Sequence, residues 1–139
     1  MYQHIVLAAD GSENAVRACE QAIKIAKLAP LCKIDVVFVV SFDKIKEEML
    51  RASSPESLEL KRRQKIANIE QLLKEHAINY VVTILRGEPG PEIVRYVNER
   101  NADLVVIGSR GLNSLQEMVL GSVSHKVMKR VNCPALVVK

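Results

Sequence analysis

The sequence DLVVIGSRGLNSLQEMVLGSVS, Asp103–Ser124, carries the strongest structural signal in the chain, and a short apolar segment, Leu104–Ile107, follows its first residue. A short run rich in β-branched residues predicts a buried strand. It ends at Gly108, a polar loop with Gly111 follows, and small residues then open a segment with helical spacing. This order is typical of a phosphate cradle, because glycines let the backbone approach an anion and the first N–H groups of a helix point at it.

Apolar runs elsewhere in the chain alternate with helical patterns in the same way. The predicted strands are Ile5–Ala9, Ile34–Val40, Asn79–Leu85, Leu104–Ile107 and Ala135–Val138. Because these strands are apolar throughout and alternate with helices, they predict an α/β fold, an open parallel five-stranded sheet with helices on both faces. The expected strand order is 3-2-1-4-5, with right-handed crossovers, as in Rossmann-like folds.

The segments between the second and third strands are less regular. Phe42–Ser54 has the weakest pattern, with a short helical piece over Lys44–Ala52, and one long helix is predicted from Pro55 to about His76. That helix carries a basic cluster, which we interpret as a solvated face rather than a nucleic-acid patch. The cluster consists of Lys61, Arg62, Arg63 and Lys65.

Length and composition narrow the class of protein. The 139 residues predict a single domain, 1–139, and the net charge of +4 is too mild and too poor in aromatic neighbours to indicate nucleic-acid binding. Three scattered cysteines show no zinc-binding spacing, which favours a reducing, cytoplasmic location. We expect no signal peptide and no membrane partner, because no apolar run approaches the roughly 20 residues that span a bilayer.

The expected strand order places a crevice between strands 1 and 4, where the chain reverses direction across the sheet. Ligands of open α/β sheets bind at that point, outside the carboxyl ends of the strands. Asp10 follows strand 1 and Gly108 follows strand 4. The topology and the glycine motif therefore predict one common site.

Each candidate residue at this site has a stated chemical role. The N–H groups of a helix start are free donors for phosphate, here those of Gly121, Ser122, Val123 and Ser124, and the two serine hydroxyls add further hydrogen bonds. Arg110 is expected to reach a terminal phosphate. Asp10 is expected to accept from a ribose hydroxyl or to hold Mg²⁺ through water, and Val39 and Val40 to flank a base.

Structural alternatives stay open for the same residues. Asp10 and Ser122 are also suited to capping helices, and the glycines to a tight turn. Arg110 is equally consistent with a solvated loop charge. If Gly108 and Gly121 serve ligand approach, alanine at either position lowers nucleotide affinity and leaves the melting temperature of the ligand-free protein nearly unchanged.

Several enzyme signatures are missing from the chain. It has no P-loop lysine motif, no G-x-G-x-x-G after strand 1 and no G-x-S-x-G elbow. Apart from Asp10, no general base lies near the expected phosphate site. The crevice is therefore predicted to hold a nucleotide rather than to transform it, and we assign no catalytic residue and no metal ligand.

The complete pattern resembles the universal stress proteins of the ATP-binding type. The resemblance rests on Gly108-x-x-Gly111 followed by Gly121-Ser122, on the opening IVLAADGS from Ile5, and on the closing CPALVV from Cys133. It implies an adenine nucleotide alpha hydrolase-like fold. By this resemblance the nucleotide contacts Ala8, Asp10, Val40, Ile107, Gly108, Arg110, Gly111, Gly121, Ser122, Val123 and Ser124.

The same resemblance implies a function and partners. It implies an ATP-binding stress-response or signalling protein, with Mg²⁺ or Mn²⁺ held through phosphates and water, in a cytoplasmic homodimer paired through Ala135–Val138. Two alternatives remain at this point. One is a slow ATPase or a nucleotidyl or phosphoryl transferase, and the other is a dimeric interaction module with a vestigial site.

Overall fold

The structure is a computed structural model that describes residues 2–51, 54–110 and 120–139. These residues form a five-stranded sheet in the order β3-β2-β1-β4-β5, with every neighbouring pair parallel. The strands are β1 His4–Ala9, β2 Lys33–Val40, β3 Asn79–Arg86, β4 Leu104–Gly108 and β5 Ala135–Val138. The predicted fold class and strand order are confirmed.

Helices cover both faces of the sheet. They are α1 Glu13–Ala26, α2 Phe42–Arg51, α3 Pro55–Lys65, α4 Ala67–Glu75, α5 Pro89–Glu99 and α6 Ser122–Arg130. The residues of α1 and α4 pack into one buried cluster and those of α5 and α6 into another, on opposite sides of the strands. Successive residues of β1 show this division, because Leu7 belongs to the first cluster and Val6 to the second.

The core is aliphatic, and the burial of the strand side chains differs from the centre of the sheet to its edge. Ile5, Val6 and Leu7 of β1 are fully buried, and a buried side chain of this kind contributes about 1.5–3 kcal/mol. The edge strand β3 is different, since Val81 is 42% exposed. β3 is therefore less buried than the central strand β1, because an edge strand receives less cover from the helices.

The long helix predicted from Pro55 to about His76 is wrong, because α3 and α4 are separate helices that meet at Ile66. The backbone of Ile66 leaves helical geometry, with φ −113° and ψ 13°, and its side chain is 1% exposed. The break lets α4 pack along α1 through its buried residues Ile69 and Leu73, while α3 runs toward the turn after β1. A helix is present in the segment before α3, as predicted. This helix, α2, begins at Phe42, two residues before the predicted start at Lys44, and the predicted end at Ala52 lies outside the described residues.

A buried carboxylate fixes α5 on the sheet. Asp35 of β2 is 3% exposed and accepts hydrogen bonds from the hydroxyl of Tyr96 in α5 and from Oγ1 of Thr83 in β3, the latter at 2.8 Å. Nε2 of His4 lies 3.7 Å from Oδ2 of Asp35. Burial, and then the bond to Asp35, raises the pKa of Tyr96. This hydrogen-bonded group holds the helix that precedes β4 and its glycine loop.

Candidate functional site

The turn after β1 brings a carboxylate to the carboxyl edge of the sheet. Oδ1 of Asp10 accepts a hydrogen bond from the backbone N–H of Ser12 at 2.9 Å, and Oγ of Ser12 accepts one from the N–H of Ala15 at 3.2 Å. Ser12 is thus the N-cap of α1, and the alternative that Asp10 caps this helix is wrong. Asp10 is half-buried. The bond from Ser12 to its Oδ1 holds the carboxyl group at this edge of the sheet.

Ser109 joins the end of β4 to three other elements. Its N–H donates to the carbonyl of Val138 in β5 at 2.7 Å, and its hydroxyl accepts from Nδ2 of Asn14 in α1 at 3.4 Å. Its carbonyl accepts from the N–H of Gly121 at 2.6 Å and from Oγ of Ser124 at 2.9 Å. These bonds place the beginning of α6 beside the end of β4 and the first turn of α1, on the same edge as Asp10.

The first turn of α6 carries free backbone donors. Gly121 occupies the N-cap with φ −71° and ψ 164°, no side chain caps the helix, and its first turn has no acidic residue. The N–H groups of Ser122, Val123 and Ser124 have no intrahelical partner, and no backbone carbonyl in the described parts of the chain accepts from them. The alternative that Ser122 is the N-cap is wrong, because it is the first residue inside the helix.

Two of the predicted phosphate donors are already used. The N–H of Gly121 is bonded to Ser109, so the prediction that it is free is wrong. Ser124 is 2% exposed. Its Oγ lies 2.9 Å from the carbonyl oxygen of Ser109 and 3.1 Å from that of Gly121. Its predicted role as a hydroxyl donor to phosphate is therefore wrong, and it closes the loop instead. Ser122 is exposed, and its hydroxyl has no hydrogen-bond partner within residues 2–51, 54–110 and 120–139.

The two glycines that frame the loop have different surroundings. A Cβ at Gly108 would lie 2.8 Å from Cβ and 3.0 Å from the backbone C and O of Asn14, so glycine here lets α1 pack against β4. A Cβ at Gly121 would lie 3.4 Å from the Ser109 carbonyl oxygen and 3.5 Å from Cα of Arg110, which is ordinary contact. Packing therefore explains Gly108, whereas neither φ nor any contact with a described residue requires glycine at position 121.

The other predicted site residues differ in their access to the crevice. Ala8 and Ile107 are each 6% exposed and belong to the cluster beneath α5 and α6. Val40 is 2% exposed and its carbonyl accepts from the N–H of Gly87 at 2.9 Å, so its side chain belongs to the core, whereas Val39 is half-buried. Arg110 is half-buried at the start of the loop. The predicted residue Gly111 lies outside the described residues.

Sequence reasoning missed residues that build the site. Asn14 and Ser109 were not singled out, and their only local signals are an amide in the first turn of α1 and a serine directly after a buried strand. The interpretation of the basic cluster as a solvated face is wrong for Arg62, which is 8% exposed. Its burial depends on how α3 packs and leaves no mark in the local sequence.

The described residues limit the chemistry of this edge. Neutral N–H donors, the Ser122 hydroxyl and Arg110 suit an anion such as phosphate, and the carboxylate of Asp10 suits the hydroxyl groups of a sugar. Across residues 2–51, 54–110 and 120–139, no group of three His, Cys, Asp or Glu side chains is placed to hold a metal ion. In the same ranges no helix has both the length and the hydropathy of a bilayer span.

Known proteins provide an independent comparison. The sequence profile described as the universal stress protein family, Usp, matches residues 1–139. Universal stress protein MJ0531 of Methanocaldococcus jannaschii is 33% identical, over 100% of this chain and 83% of that protein. The solved structure of MJ0577, from the same organism, superposes with a TM-score of 0.84 at 30% identity, over 100% of this chain and 96% of that one.

A more distant solved structure shares the fold. It is a universal stress protein in complex with cAMP, with a TM-score of 0.75 at 22% identity, over 99% of this chain and 97% of that one. The family profile and the MJ0531 relative together decide the assignment, since both extend over the whole chain. The chain belongs to the universal stress protein family.

Proposed function

We propose that this protein binds ATP in the crevice between the turn after β1 and the start of α6, and that it acts as a nucleotide-dependent stress-response or signalling protein. The observation that carries the proposal is the uncapped first turn of α6, set on the same edge of the sheet as Asp10. A phosphate group at that turn receives N–H groups that have no acceptor among the described residues. The cAMP complex of a structural neighbour supports an adenine nucleotide as the ligand class.

Different residues contact different parts of the nucleotide. The N–H groups of Ser122, Val123 and Ser124 bind phosphate oxygens, and Arg110 extends to the terminal phosphate. Asp10 accepts from a ribose hydroxyl. A Mg²⁺ or Mn²⁺ ion is held by the phosphates and water rather than by a set of protein ligands.

Other predicted contacts are made by the backbone or the floor of the crevice. Val40 meets the adenine through its main chain, because its side chain is buried. Ala8, Ile107 and Gly108 form the buried floor, and we include Gly111 in the phosphate loop on the strength of the motif alone. With these contacts the crevice holds ATP, and no described group besides Asp10 is placed to act as a base.

We also propose that the protein works in the cytoplasm as one domain per chain, 1–139, in a homodimer formed through β5. This strand lies at the edge of the sheet. The N–H groups of Val105 and Ser109 donate to the carbonyls of Pro134 and Val138, so the alternate residues Ala135 and Val137 direct their N–H groups to the open edge. An unpaired apolar edge of this kind is suited to pairing with a second copy.

Amide chemical-shift mapping tests the proposed site directly. Titration of the isotope-labelled protein with ATP and Mg²⁺ is expected to shift the amide signals of Ser122 and Val123 and of the turn at Asp10 more than those of α4. A loss or absence of shifts at α6 while signals elsewhere respond contradicts the assignment. Mass measurement by light scattering tests the dimer, and Val137→Pro is expected to convert a dimer into monomers.

A further inference from the structure

The basic end of α3 provides three cations with three different environments. They are Arg62, Arg63 and Lys65, all in the last turn of the helix. Arg62 is 8% exposed, and Nη2 of Arg63 lies 2.7 Å from Oε1 of Glu70. Lys65 is exposed, and no acidic side chain in the described ranges lies within ion-pair distance of its ammonium group. Its charge is therefore available to a ligand.

Lys65 lies against the turn that carries Asp10. A Cβ at Gly11 would be 3.2 Å from the carbonyl oxygen and 3.7 Å from Cβ of Lys65. Gly11 has φ +85°, so glycine both permits the turn and leaves room for the end of α3. The lysine side chain consequently starts beside the carboxyl end of β1, and its flexible stem carries the ammonium group up to about 5 Å beyond Cβ.

The charge balance of the crevice gives this position a role. The donors at the start of α6 are neutral N–H groups, Arg110 is the cation at the start of the loop, and Asp10 places a negative charge at the same edge. A bound polyphosphate adds more negative charge there than a monophosphate does. A cation at the β1 turn offsets both charges, and its attraction to the ligand grows with the ligand's charge.

We propose that Lys65 is a specificity-determining residue whose ammonium group binds the polyphosphate of the nucleotide and so favours ATP over AMP. This inference rests on the proposed function, since it assumes that the crevice holds an adenine nucleotide. Lys65, the last residue of α3 before the break at Ile66, would then contact the ligand. The break at Ile66 ends α3 at the position where Lys65 meets the β1 turn.

Calorimetric titration of the full chain with ATP and with AMP tests the assignment. Lys65→Gln removes the charge and retains a long polar side chain. We expect its ATP affinity to fall about 3- to 10-fold and its AMP affinity to fall by less than about twofold. Lys65→Arg keeps the charge and is expected to preserve most of the wild-type preference for ATP.

Lys74→Gln is a matched control. Lys74 is also exposed in the last turn of a helix, but α4 ends at the opposite edge of the sheet, where β3 begins. Thermal melts show whether each variant is folded. If Lys65→Gln binds ATP as well as Lys74→Gln does, or loses affinity equally for ATP and AMP, the assignment of Lys65 is wrong while nucleotide binding stands. If the wild-type protein binds neither nucleotide, the proposed function itself is wrong.

Discussion

Adding one methyl group at Gly108 or at Gly121 separates the packing role of a glycine from its ligand role. At Gly108 the methyl group meets backbone atoms of Asn14 at 3.0 Å, and these atoms belong to the first turn of α1. Overpacking of this kind lowers the free energy of unfolding by about 1–3 kcal/mol. The alanine chain has less conformational entropy when unfolded, which raises the free energy of unfolding by about 0.4–1 kcal/mol. We expect Gly108→Ala to lose about 1–2 kcal/mol of unfolding free energy, or roughly 3–7 °C in melting temperature.

At Gly121 the same change is nearly neutral for the ligand-free protein. The nearest atom of the described residues lies 3.4 Å from the new methyl group and φ is −71°, so the described part of the chain imposes neither a clash nor strain. Loss of glycine at the N-cap costs about 0.5–1 kcal/mol, and the unfolded-state entropy offsets it. The methyl group stands where phosphate approaches α6, however, so ATP affinity is expected to fall about 5- to 30-fold, which is a loss of about 1–2 kcal/mol.

Thermal melts of the ligand-free variants and calorimetry with ATP measure these two effects separately. Neutrality in the ligand-free protein was expected only if the glycines serve ligand approach, and the contact with Asn14 now restricts that expectation to Gly121. Equal melting temperatures for Gly108→Ala and the wild type would refute the contact with Asn14. A Gly121→Ala protein that melts as low as Gly108→Ala would mean that the backbone itself requires glycine at position 121.

Four further substitutions test the Ser109–Ser124 contact, the Asp35 network and the start of β1 by chemical denaturation. Ser124→Ala removes the hydroxyl that closes the loop and is expected to cost about 1–2 kcal/mol, whereas Ser122→Ala, at an exposed position, stays within about 0.5 kcal/mol of the wild type. Tyr96→Phe leaves buried Asp35 without one donor and is expected to cost about 1–3 kcal/mol; no loss would contradict that network. The backbone N–H groups of Gln3 and His4 donate to Asp103 and lower its pKa below the ordinary 3.8. The ionised carboxylate therefore stabilises the fold at pH values above its unfolded-state pKa. This stabilisation is lost as the pH falls through the folded-state pKa. Asp103→Asn should therefore be less stable than the wild type at pH 7 by under about 1 kcal/mol, since the group is exposed to screening. The two proteins should be equally stable at a pH low enough to protonate Asp103 in both the folded and the unfolded wild type.

The sheet could be predicted from the sequence because its signals are local. Runs such as Ile5–Ala9 and Leu104–Ile107 are apolar and β-branched, and strand order follows from the alternation with helices and from the handedness of the crossovers. The crevice followed from the same reasoning, since strand ends of a parallel sheet meet at one edge. Asp10 and Gly108 were placed correctly at that edge before any side-chain contact was known.

What the sequence did not reveal depends on contacts between distant segments. No glycine or proline marks the break at Ile66, which arises because α3 and α4 pack on different partners. The N–H of Gly121 and the hydroxyl of Ser124 are used by the carbonyl of Ser109, a residue on the far side of the loop. Arg62 reads as one charge among several in a basic cluster, and only the packing of α3 buries it.

Calorimetry with ATP and Mg²⁺ tests the central claim most directly, using the wild-type protein and Gly121→Val. We expect saturable binding of one nucleotide per chain by the wild type. We also expect a large loss of affinity in Gly121→Val, because the valine side chain fills the approach to the free N–H groups of Ser122 and Val123. The proposed nucleotide site is contradicted if the wild type shows no binding up to millimolar nucleotide, or if Gly121→Val binds ATP as tightly as the wild type does.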